Sequence, residues 1–426
     1  MAYDSDFHLG AEGLEKACEA LATYASGGRL HGREVATLLA DELPESGVGP
    51  ERALDALAPV ALGEARSLGD PGYCGHMDPP TPWVSWAAAL WAASRNQNLL
   101  HPDTSPVARD LEEAAIRWVA PFFGMDGGHL VPGSTVANLT ALWAARECRG
   151  VREVVASEAA HLSVRKSANL LGLAYRTVSV DVRDCMDPSG LGDLGEAALV
   201  LTAGTTVMGS VDPLDVGHGA AWRHLDAAWG GPLCFSDRYR HLLDGVEVMD
   251  SVSVSAHKLM FQPKESAIVL FGDVAAAHAA LSFGAGYLSV PNVGLLGSHG
   301  ATALPLVATL LAWGRSGLAA RIERCMDLAV ELEGHVGSDD RLEALAPPAT
   351  GILLWRPRGA DVMAVRDALR YASVSLGLHD GELWLRSVFA NPQADVGLLI
   401  DEVRRASAHV GGPTAEVGGS TAARVV

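Results

Sequence analysis

The chain has 426 residues, 49% of them hydrophobic, and is therefore long enough to bury a large core and to form one large domain with smaller parts. Its formal net charge of -19 argues against nucleic acid or an anionic membrane as a partner, because both bind basic surfaces. The six cysteines are scattered without the spacing of a zinc site or a disulfide framework, so we expect reduced thiols and no metal.

The start of the chain lacks the pattern of a secretion signal. Residues 1–10 include Asp4, Asp6 and His8 in place of a basic segment followed by an apolar one. We also expect no stretch of the chain to be long and apolar enough to span a bilayer. Together these features predict a cytoplasmic protein.

Residues 1–70 are expected to form a helical arm. Apolar positions recur at helical spacing in residues 14–24, 35–43 and 53–58. We expect the last of these helices to end at Pro59, because proline lacks the backbone N–H that continues a helix.

Residues 71–300 alternate between short β-rich runs and helical runs. The strand candidates are residues 154–156, 175–180, 198–202, 221–225, 246–254 and 268–271. This alternation predicts an α/β fold whose mostly parallel sheet is covered by helices, and it defines the large domain.

After Pro291 the pattern changes to long helical segments, at residues 301–314 and 319–336. Two strand candidates follow, at residues 352–355 and 383–386. Residues 301–410 are therefore predicted to form a smaller α+β domain, and residues 411–426, which lack periodicity, a disordered tail.

Lys258 and Asp226 each lie near the end of a strand candidate, in the segments Ser255-Ala256-His257-Lys258 and Asp226-Ala227-Ala228-Trp229. Open α/β sheets place their ligand crevice at strand ends, so the two side chains are expected to converge. A lysine amine can hold the aldehyde of pyridoxal phosphate, and a carboxylate beside the pyridine nitrogen keeps that nitrogen protonated. Either residue alone has an ordinary explanation, but the pair predicts a pyridoxal phosphate enzyme.

Gly133-Ser134-Thr135 precedes a helical run at residues 136–147, which would gather backbone N–H groups and two hydroxyls where a phosphate is well accommodated. Serine and threonine are also ordinary helix caps. The phosphate interpretation is therefore favoured only because Lys258 and Asp226 accompany it.

His161 and Thr205 follow two further strand candidates. His161 is predicted to open a helix and to present a flat ring over a flat cofactor, although a lone histidine is more often structural. Thr205, in Gly204-Thr205-Thr206, could line the same crevice, and a turn with polar caps explains it nearly as well.

The order of these segments resembles that of the group II pyridoxal phosphate dependent amino acid decarboxylases, and the resemblance covers most of the chain. The segments that carry it are Gly75-His76-Met77, Asn96-Gln97-Asn98, Ser105-Pro106 with Leu111-Glu112, Gly133-Ser134-Thr135 with Ala137-Asn138-Leu139, Ala160-His161, Gly204-Thr205-Thr206 with Gly209 and Asp212, residues 224–231, Asp250-Ser251, His257-Lys258, and Trp384-Leu385-Arg386 with Asn391-Pro392. The resemblance implies the fold of the aspartate aminotransferase superfamily, with a seven-stranded type of sheet and helices on both faces.

The resemblance also implies a role for individual residues. Lys258 would form the internal aldimine, Asp226 would pair with the pyridinium nitrogen, His161 would stack on the ring, and Ala228 would pack against its opposite face. Thr205 would lie near the ring hydroxyl. The residues that match those contacting the phosphate or the substrate are Ser134, Thr135, Ser255 and His257.

The reaction implied is decarboxylation of an L-amino acid to an amine through a quinonoid intermediate. Arg386 is a candidate to bind a substrate carboxylate, because its planar fork suits that group, and a structural salt bridge is an equal alternative. A cofactor-free homologue that acts as a binding or structural subunit is a further alternative.

One segment departs from the family. Members carry a long mobile loop after the lysine, often with a tyrosine that donates a proton. The corresponding segment of this chain, residues 289–300, is short and contains no tyrosine. His299, Ser298 and Tyr287 are the candidates to replace it. If no donor replaces it, reaction with dioxygen would give an aldehyde by oxidative deamination, and another lyase or a transaminase reaction also stays open.

The substrate is not identified by the sequence. The candidate lining segments are residues 73–80, 83–98 and 289–299, with His76 and His101 among or beside them. The sequence of residues 257–263 is similar to that of the diaminobutyrate and valine decarboxylase branches of the family. The resemblance further implies a homodimer whose active sites are shared between subunits.

Overall fold

The computed structural model describes residues 11–24, 42–43 and 45–410, which fall into two compact units at residues 1–68 and 69–426. The helices are α1 Ala11–Tyr24, α2 Pro50–Ala61, α3 Trp83–Arg95, α4 Ala108–Val119, α5 Ser134–Arg149, α6 Leu162–Leu171, α7 Val274–Ala280, α8 Ala303–Gly337, α9 Val362–Asp367 and α10 Val396–Val410. The strands are β1 Tyr73–Cys74, β2 Gly127–Val131, β3 Glu153–Ser157, β4 Ala174–Val178, β5 Ala197–Thr202, β6 Trp222–Asp226, β7 Ser251–Val254, β8 Ala267–Phe271, β9 Ser282–Phe283, β10 Asn292–Val293, β11 Leu342–Ala344, β12 Ile352–Pro357, β13 Ser373–His379 and β14 Glu382–Val388.

The first unit contains α1 and α2, joined by an ion pair of 2.8 Å between Lys16 and Asp55. The prediction that the second helix ends at Pro59 is wrong, because α2 continues to Ala61 with Pro59 inside it. Proline removes one backbone donor, but Leu62 N still donates to Ala58 O and closes the last turn. The predicted helix at residues 35–43 and the predicted tail at residues 411–426 lie outside the described residues, apart from residues 42–43, which are not helical.

The second unit is built on a seven-stranded sheet in the order β2-β8-β7-β6-β5-β3-β4. Strands β7, β6, β5, β3 and β4 are parallel, and β8 runs antiparallel to both of its neighbours. Successive residues of β3 and β5 face two different cores, with Val155 and Leu199 in one and Val154 and Ala198 in the other. Burial on both faces confirms the predicted α/β fold with a mostly parallel sheet.

Two details of this sheet differ from the prediction. The strand expected at residues 246–254 begins only at Ser251, and residues 246–248 form a 3-10 turn. Val246 and Met249 are buried while Val248 is exposed, a spacing that suits a helical turn and not a strand. Strand β2 was not predicted because it opens with two glycines, and a side chain at Gly128 would meet the carbonyl oxygen of Val269 at 1.9 Å.

A second sheet has five strands in the order β1-β13-β14-β12-β11. Strands β12 and β14 contain the two predicted strand segments, and β1 joins from far earlier in the chain by pairing in parallel with β13. The division into domains at residue 300 stays a prediction.

Helix α8 joins the two predicted helical segments into one, with a break at Gly314, whose φ is 58°. Its length and composition would allow it to cross a membrane, so the expectation that no stretch qualifies is wrong. A buried helix of a large core meets the same criterion. Leu306, Ile322 and Leu328 of α8 are buried in the main core cluster, which indicates a packing role for this helix.

Candidate active site

Two adjacent parallel strands place the central residues at one edge of the large sheet. Strand β6 ends at Asp226 and pairs with β7 so that Asp226 lies opposite Ser253. Lys258 follows β7 in a turn in which its backbone N–H donates to Ser255 O at 3.2 Å. The predicted convergence of Lys258 and Asp226 at strand ends therefore agrees with the geometry.

The Asp226 carboxylate is 3% exposed and accepts hydrogen bonds from three donors. Asn138 Nδ2 donates to Oδ2 at 2.8 Å and Ala228 N donates to Oδ1 at 3.2 Å, while the one hydroxyl proton of Ser253 is shared between Asn138 Oδ1 at 2.7 Å and Asp226 Oδ1 at 3.3 Å. A buried carboxylate with this many donors is held in one orientation.

Lys258 is half-buried, and desolvation by the surrounding protein lowers the pKa of its amine. The negative charge of Asp226 opposes this shift, while the positive charges of Lys264 and Arg386 add to it. A lowered pKa makes the neutral, nucleophilic amine more available near neutral pH.

His161 is the N-cap residue of α6, as predicted from its position after β3. Its Nδ1 accepts a hydrogen bond from Ser163 N at 3.3 Å and lies 2.8 Å from Ser163 Oγ. Burial of part of the ring lowers its pKa, against the opposing charge of Asp226, so the imidazole is neutral at neutral pH. A neutral ring on the rim of the site is suited to face a flat ligand.

Helix α5 begins at Ser134, and the cap position is Gly133, which has no side chain to cap the helix. Ser134 Oγ instead lies 2.5 Å from Ser255 Oγ, so the hydroxyls of two distant segments meet at this helix N-terminus. Thr135 is exposed. The ordinary capping explanation of Ser134 and Thr135 therefore does not describe the geometry.

His257 lies beside this turn, since a Cβ placed on Gly133 would be 3.7 Å from His257 Cε1. Its Nδ1 accepts a hydrogen bond from Ser266 N at 3.3 Å. Burial, followed by the positive charges of Lys264 and Lys258, lowers the pKa of His257 to about 4, so this side chain is neutral at pH 7.

The donor set fits pyridoxal phosphate. The amine of Lys258 suits the aldehyde, the oriented carboxylate of Asp226 suits the ring nitrogen, and the helix N-terminus at Ser134 suits the phosphate.

Thr205 and Ala228 lie close to these groups in the fold. Thr205 is fully buried in the turn after β5, and its Oγ1 accepts a hydrogen bond from Ser210 N at 3.1 Å. That bond agrees with the turn explanation and leaves the hydroxyl proton of Thr205 able to donate. Ala228 is 8% exposed, two residues past Asp226.

Arg386, on β14, is 6% exposed and donates to Val207 O at 3.2 Å and to Ser375 Oγ at 3.1 Å. No carboxylate lies within ion-pair distance of it in the part of the chain that the structure describes. Burial lowers its pKa to about 10, which still leaves it charged at neutral pH. The alternative of a structural salt bridge is therefore not supported, and the guanidinium is available to an anionic ligand.

The remaining candidates are His299, Ser298, Tyr287 and His76. His299 lines a cavity of about 200 Å³ with Glu112 and His129. Ser298 Oγ accepts a hydrogen bond from Asn98 Nδ2 at 3.2 Å, the Tyr287 ring is 72% exposed, and His76 is exposed. Within residues 69–410, no hydrogen bond or ion pair joins any of these four side chains to Lys258.

Several residues of the site were assigned no role from the sequence. Asn138, Ser163, His224 and Ser253 surround Asp226 and His161 with hydrogen bonds. A signal was present, because polar residues recur at every second position, at His224 and Asp226 in β6 and at Ser251 and Ser253 in β7. Two-residue spacing places each pair on one face of its strand.

The chain is similar to known decarboxylases. The sequence profile of the pyridoxal-dependent decarboxylase conserved domain matches residues 67–356. An L-2,4-diaminobutyrate decarboxylase of Rhizobium meliloti (strain 1021) is 31% identical, with 83% of this chain and 81% of that protein covered.

Two solved structures share the fold. The glutamate decarboxylase domain of a diaminobutyrate-pyruvate transaminase and L-2,4-diaminobutyrate decarboxylase from Vibrio parahaemolyticus superposes with a TM-score of 0.81 at 23% identity, covering 94% of this chain and 97% of that one. Oryza sativa TDC with PLP and tryptamine gives a TM-score of 0.84 at 22% identity, covering 94% and 99%.

Proposed function

The chain belongs to the pyridoxal-dependent decarboxylase family and is a pyridoxal phosphate dependent amino acid decarboxylase, and we propose that Lys258 is the residue that binds its cofactor. One observation carries the proposal for Lys258. Lys258 follows β7 and Asp226 ends the neighbouring parallel strand β6, so the nucleophile and the carboxylate for the ring nitrogen lie at the same edge of the sheet.

Bound pyridoxal phosphate supplies a conjugated ring that accepts the electron pair left when the substrate carboxylate departs as carbon dioxide. Asp226 holds a proton at the ring nitrogen, and three donors fix the direction of its carboxylate. His161 and Ala228 would hold the ring of the bound cofactor between them. The Lys258 amine, with its lowered pKa, accepts and returns protons at Nζ.

The phosphate group is assigned to the N-terminus of α5. Backbone N–H groups there carry the positive end of the helix dipole, and the Ser134 and Ser255 hydroxyls meet at the same place. Thr135 and the neutral side chain of His257 border this position, and Thr205 offers its hydroxyl proton to the ring side.

Arg386 is assigned to a carboxylate of the amino acid. Its charge is buried without a carboxylate partner among the described residues, and such a charge gains most when a ligand carboxylate completes the pair. The Ser375 contact aims the guanidinium and leaves further N–H donors for the substrate.

L-2,4-Diaminobutyrate is the first substrate to test, because the relative with that activity in its name is 31% identical over most of both chains. The amine is the expected product. The aldehyde is the alternative product, because residues 289–300 contain no tyrosine to donate the proton.

We further propose a cytoplasmic homodimer. Trp83, Trp86 and Trp91 of α3 expose between 46% and 70% of their surfaces, an apolar patch of the kind that subunit interfaces cover. His299, Ser298 and Tyr287, which no contact joins to Lys258 of the same chain, would then serve the partner's site as proton donors. The same interface would let His76 complete a substrate pocket. Light scattering should give about twice the chain mass of 44.5 kDa, and the mass of one chain would contradict the dimer.

The function is tested with purified protein loaded with pyridoxal phosphate. Diaminobutyrate and the common amino acids are supplied one at a time, and carbon dioxide, amine, aldehyde and hydrogen peroxide are recorded together. We expect carbon dioxide with an equal amount of amine, and no turnover by Lys258→Ala. Aldehyde with peroxide would replace the amine assignment by oxidative deamination. Undiminished turnover by Lys258→Ala would contradict the role of Lys258, and Lys264→Ala is the matched control for loss of a nearby lysine.

A further inference from the structure

Behind Asp226, a continuous row of polar side chains leads away from the site into the core. Its members are Asn138, His224, Ser251 and Trp222, and each is 5% exposed or less. Asn138 Oδ1 lies 3.0 Å from His224 Nε2, and His224 Nδ1 lies 2.8 Å from Ser251 Oγ. The Trp222 indole donates to Ser251 Oγ at 2.8 Å and closes the row.

The chemistry of the end group fixes the direction of every hydrogen bond in this row. The Asp226 carboxylate can only accept, so Asn138 turns its Nδ2 toward Asp226 and its Oδ1 toward His224 Nε2, which must therefore donate. A neutral His224 then accepts at Nδ1 from Ser251 Oγ, and the Trp222 indole donates to the same serine oxygen. Burial lowers the pKa of His224 to about 4, which agrees with a neutral ring that donates at one nitrogen and accepts at the other.

The Asn138 amide is held in this orientation by contacts on both sides. Its oxygen accepts from His224 and, at 2.7 Å, from Ser253 Oγ. Its Nδ2 is thereby left to donate to Asp226 Oδ2 at 2.8 Å and to Ser163 Oγ at 2.9 Å. A rotated amide would present its oxygen to the Asp226 carboxylate, which can only accept, so that hydrogen bond would be lost and replaced by repulsion between two acceptors.

The amide also reaches His161 through Ser163. Because Ser163 Oγ accepts from Asn138, its proton is free to be donated to His161 Nδ1, 2.8 Å away. One side chain therefore orients both the carboxylate at the edge of the ring site and the imidazole above it.

We propose that Asn138, His224, Ser251 and Trp222 are positioning residues whose hydrogen bonds all run in one direction, from Trp222 toward Asp226. These hydrogen bonds fix the orientation of the Asn138 amide. Through that amide they fix the orientation of the Asp226 carboxylate and the tautomer of His161. The inference rests on the cofactor arrangement proposed above. None of the four residues is assigned contact with the substrate or the cofactor.

The ordinary alternative is a buried polar cluster that only stabilises the fold. The two explanations differ in what a remote substitution does to the bound cofactor. Removing the Ser251 hydroxyl leaves Asp226, His161 and Asn138 in place but breaks the row two side chains away from the carboxylate. A purely structural cluster would lower stability and leave the bound cofactor unchanged.

The test compares Ser251→Ala with Ser167→Ala in the full chain. Both serines are buried, but Ser167 Oγ donates only to Ser163 O of its own helix, at 2.7 Å. For each variant, the dissociation constant of pyridoxal phosphate is measured by titrating the apo protein, and the visible absorption spectrum of the loaded protein is recorded at pH 7. We expect Ser251→Ala to raise the dissociation constant about fivefold and to change the ratio of the visible bands, as loss of one buried hydrogen bond would. Ser167→Ala should match the wild type in both.

Equal behaviour of the two serine variants overturns the proposal, whether both change or neither does. If Ser251→Ala does not fold, Trp222→Phe, which removes the indole N–H and keeps an aromatic ring, is measured against the same control and decides in the same way. Failure of the proposed cofactor arrangement is distinguished by a separate comparison. If Lys258 does not bind the cofactor, the visible absorption bands of the loaded wild-type protein and of Lys258→Ala would be the same.

Discussion

At the scale of single residues, the site depends on charges that the fold has removed from water. Lys258 lies among positive charges from Lys264 and Arg386, and its pKa is lowered chiefly by desolvation. His257 is neutral at pH 7 for the same reason. The cations that act on Lys258 are Lys264, which is paired with Asp78, and Arg386, which has no carboxylate partner among the described residues. That difference distinguishes a side chain held in place from one available to a ligand.

Substitution of Arg386 tests this distinction. Arg386→Gln keeps a polar group near Ser375 but removes the charge, and we expect KM for the amino acid to rise roughly thirtyfold or more, as loss of a buried charge pair would cause. The dissociation constant of pyridoxal phosphate should change much less. Arg356→Gln on the neighbouring strand β12 is the matched control, because Arg356 is already paired with Glu343 and Glu382. An unchanged KM in Arg386→Gln would contradict the assignment.

At the scale of elements, the residues of the site lie at the ends of strands and the starts of helices. The β-rich runs near β3, β6 and β7 allow strands to be predicted there, and His161, Asp226 and Lys258 are found because each lies at or just after the end of one of these strands. Asn138 was not assigned a role, because only packing brings the second turn of α5 against β6 and β7. The availability of Arg386 was likewise beyond prediction, because a lone arginine in a strand does not reveal whether a carboxylate faces it.

Helix α10 is fixed to the start of β13 by a carboxylate whose effect on stability depends on pH. Glu402 pairs with Arg405 at 2.8 Å and accepts hydrogen bonds from the backbone N–H groups of Arg370 and Tyr371. Arg405, with these backbone donors, lowers the pKa of Glu402 from about 4.5 to about 2. Its folded pKa lies below its unfolded value, so the stabilisation is present above pH 4.5 and is lost as the pH falls toward 2.

Urea unfolding of Glu402→Gln at several pH values measures this contribution. We expect the variant to be less stable than the wild type by about 1 to 3 kcal/mol at pH 7, with the difference shrinking as the pH falls below 4.5. Glu113→Gln, which removes an exposed pair of 3.9 Å with Arg117, should have little effect at any pH. A difference for Glu402→Gln that does not depend on pH would contradict the assignment.

At the scale of the whole molecule, two sheets contribute to one site. The seven-stranded sheet provides Asp226 and leads to Lys258, while the five-stranded sheet provides Arg386 on β14. The hydrophobic pattern predicts that both sheets exist. It does not predict that β1 crosses to the second sheet, or that the charge of Arg386 on β14 contributes to the lowered pKa of Lys258, because those relations arise between distant segments.

The most direct measurement is borohydride reduction of the protein loaded with pyridoxal phosphate, followed by mass mapping of its peptides. Reduction makes the bond between a lysine amine and the cofactor aldehyde permanent, so the labelled lysine is identified by mass. We predict the label on Lys258, its loss in Lys258→Ala and its retention in Lys264→Ala. Label on Lys264 or any other lysine of the wild-type protein, or no label at all, would contradict the assignment of Lys258 as the residue that binds the cofactor.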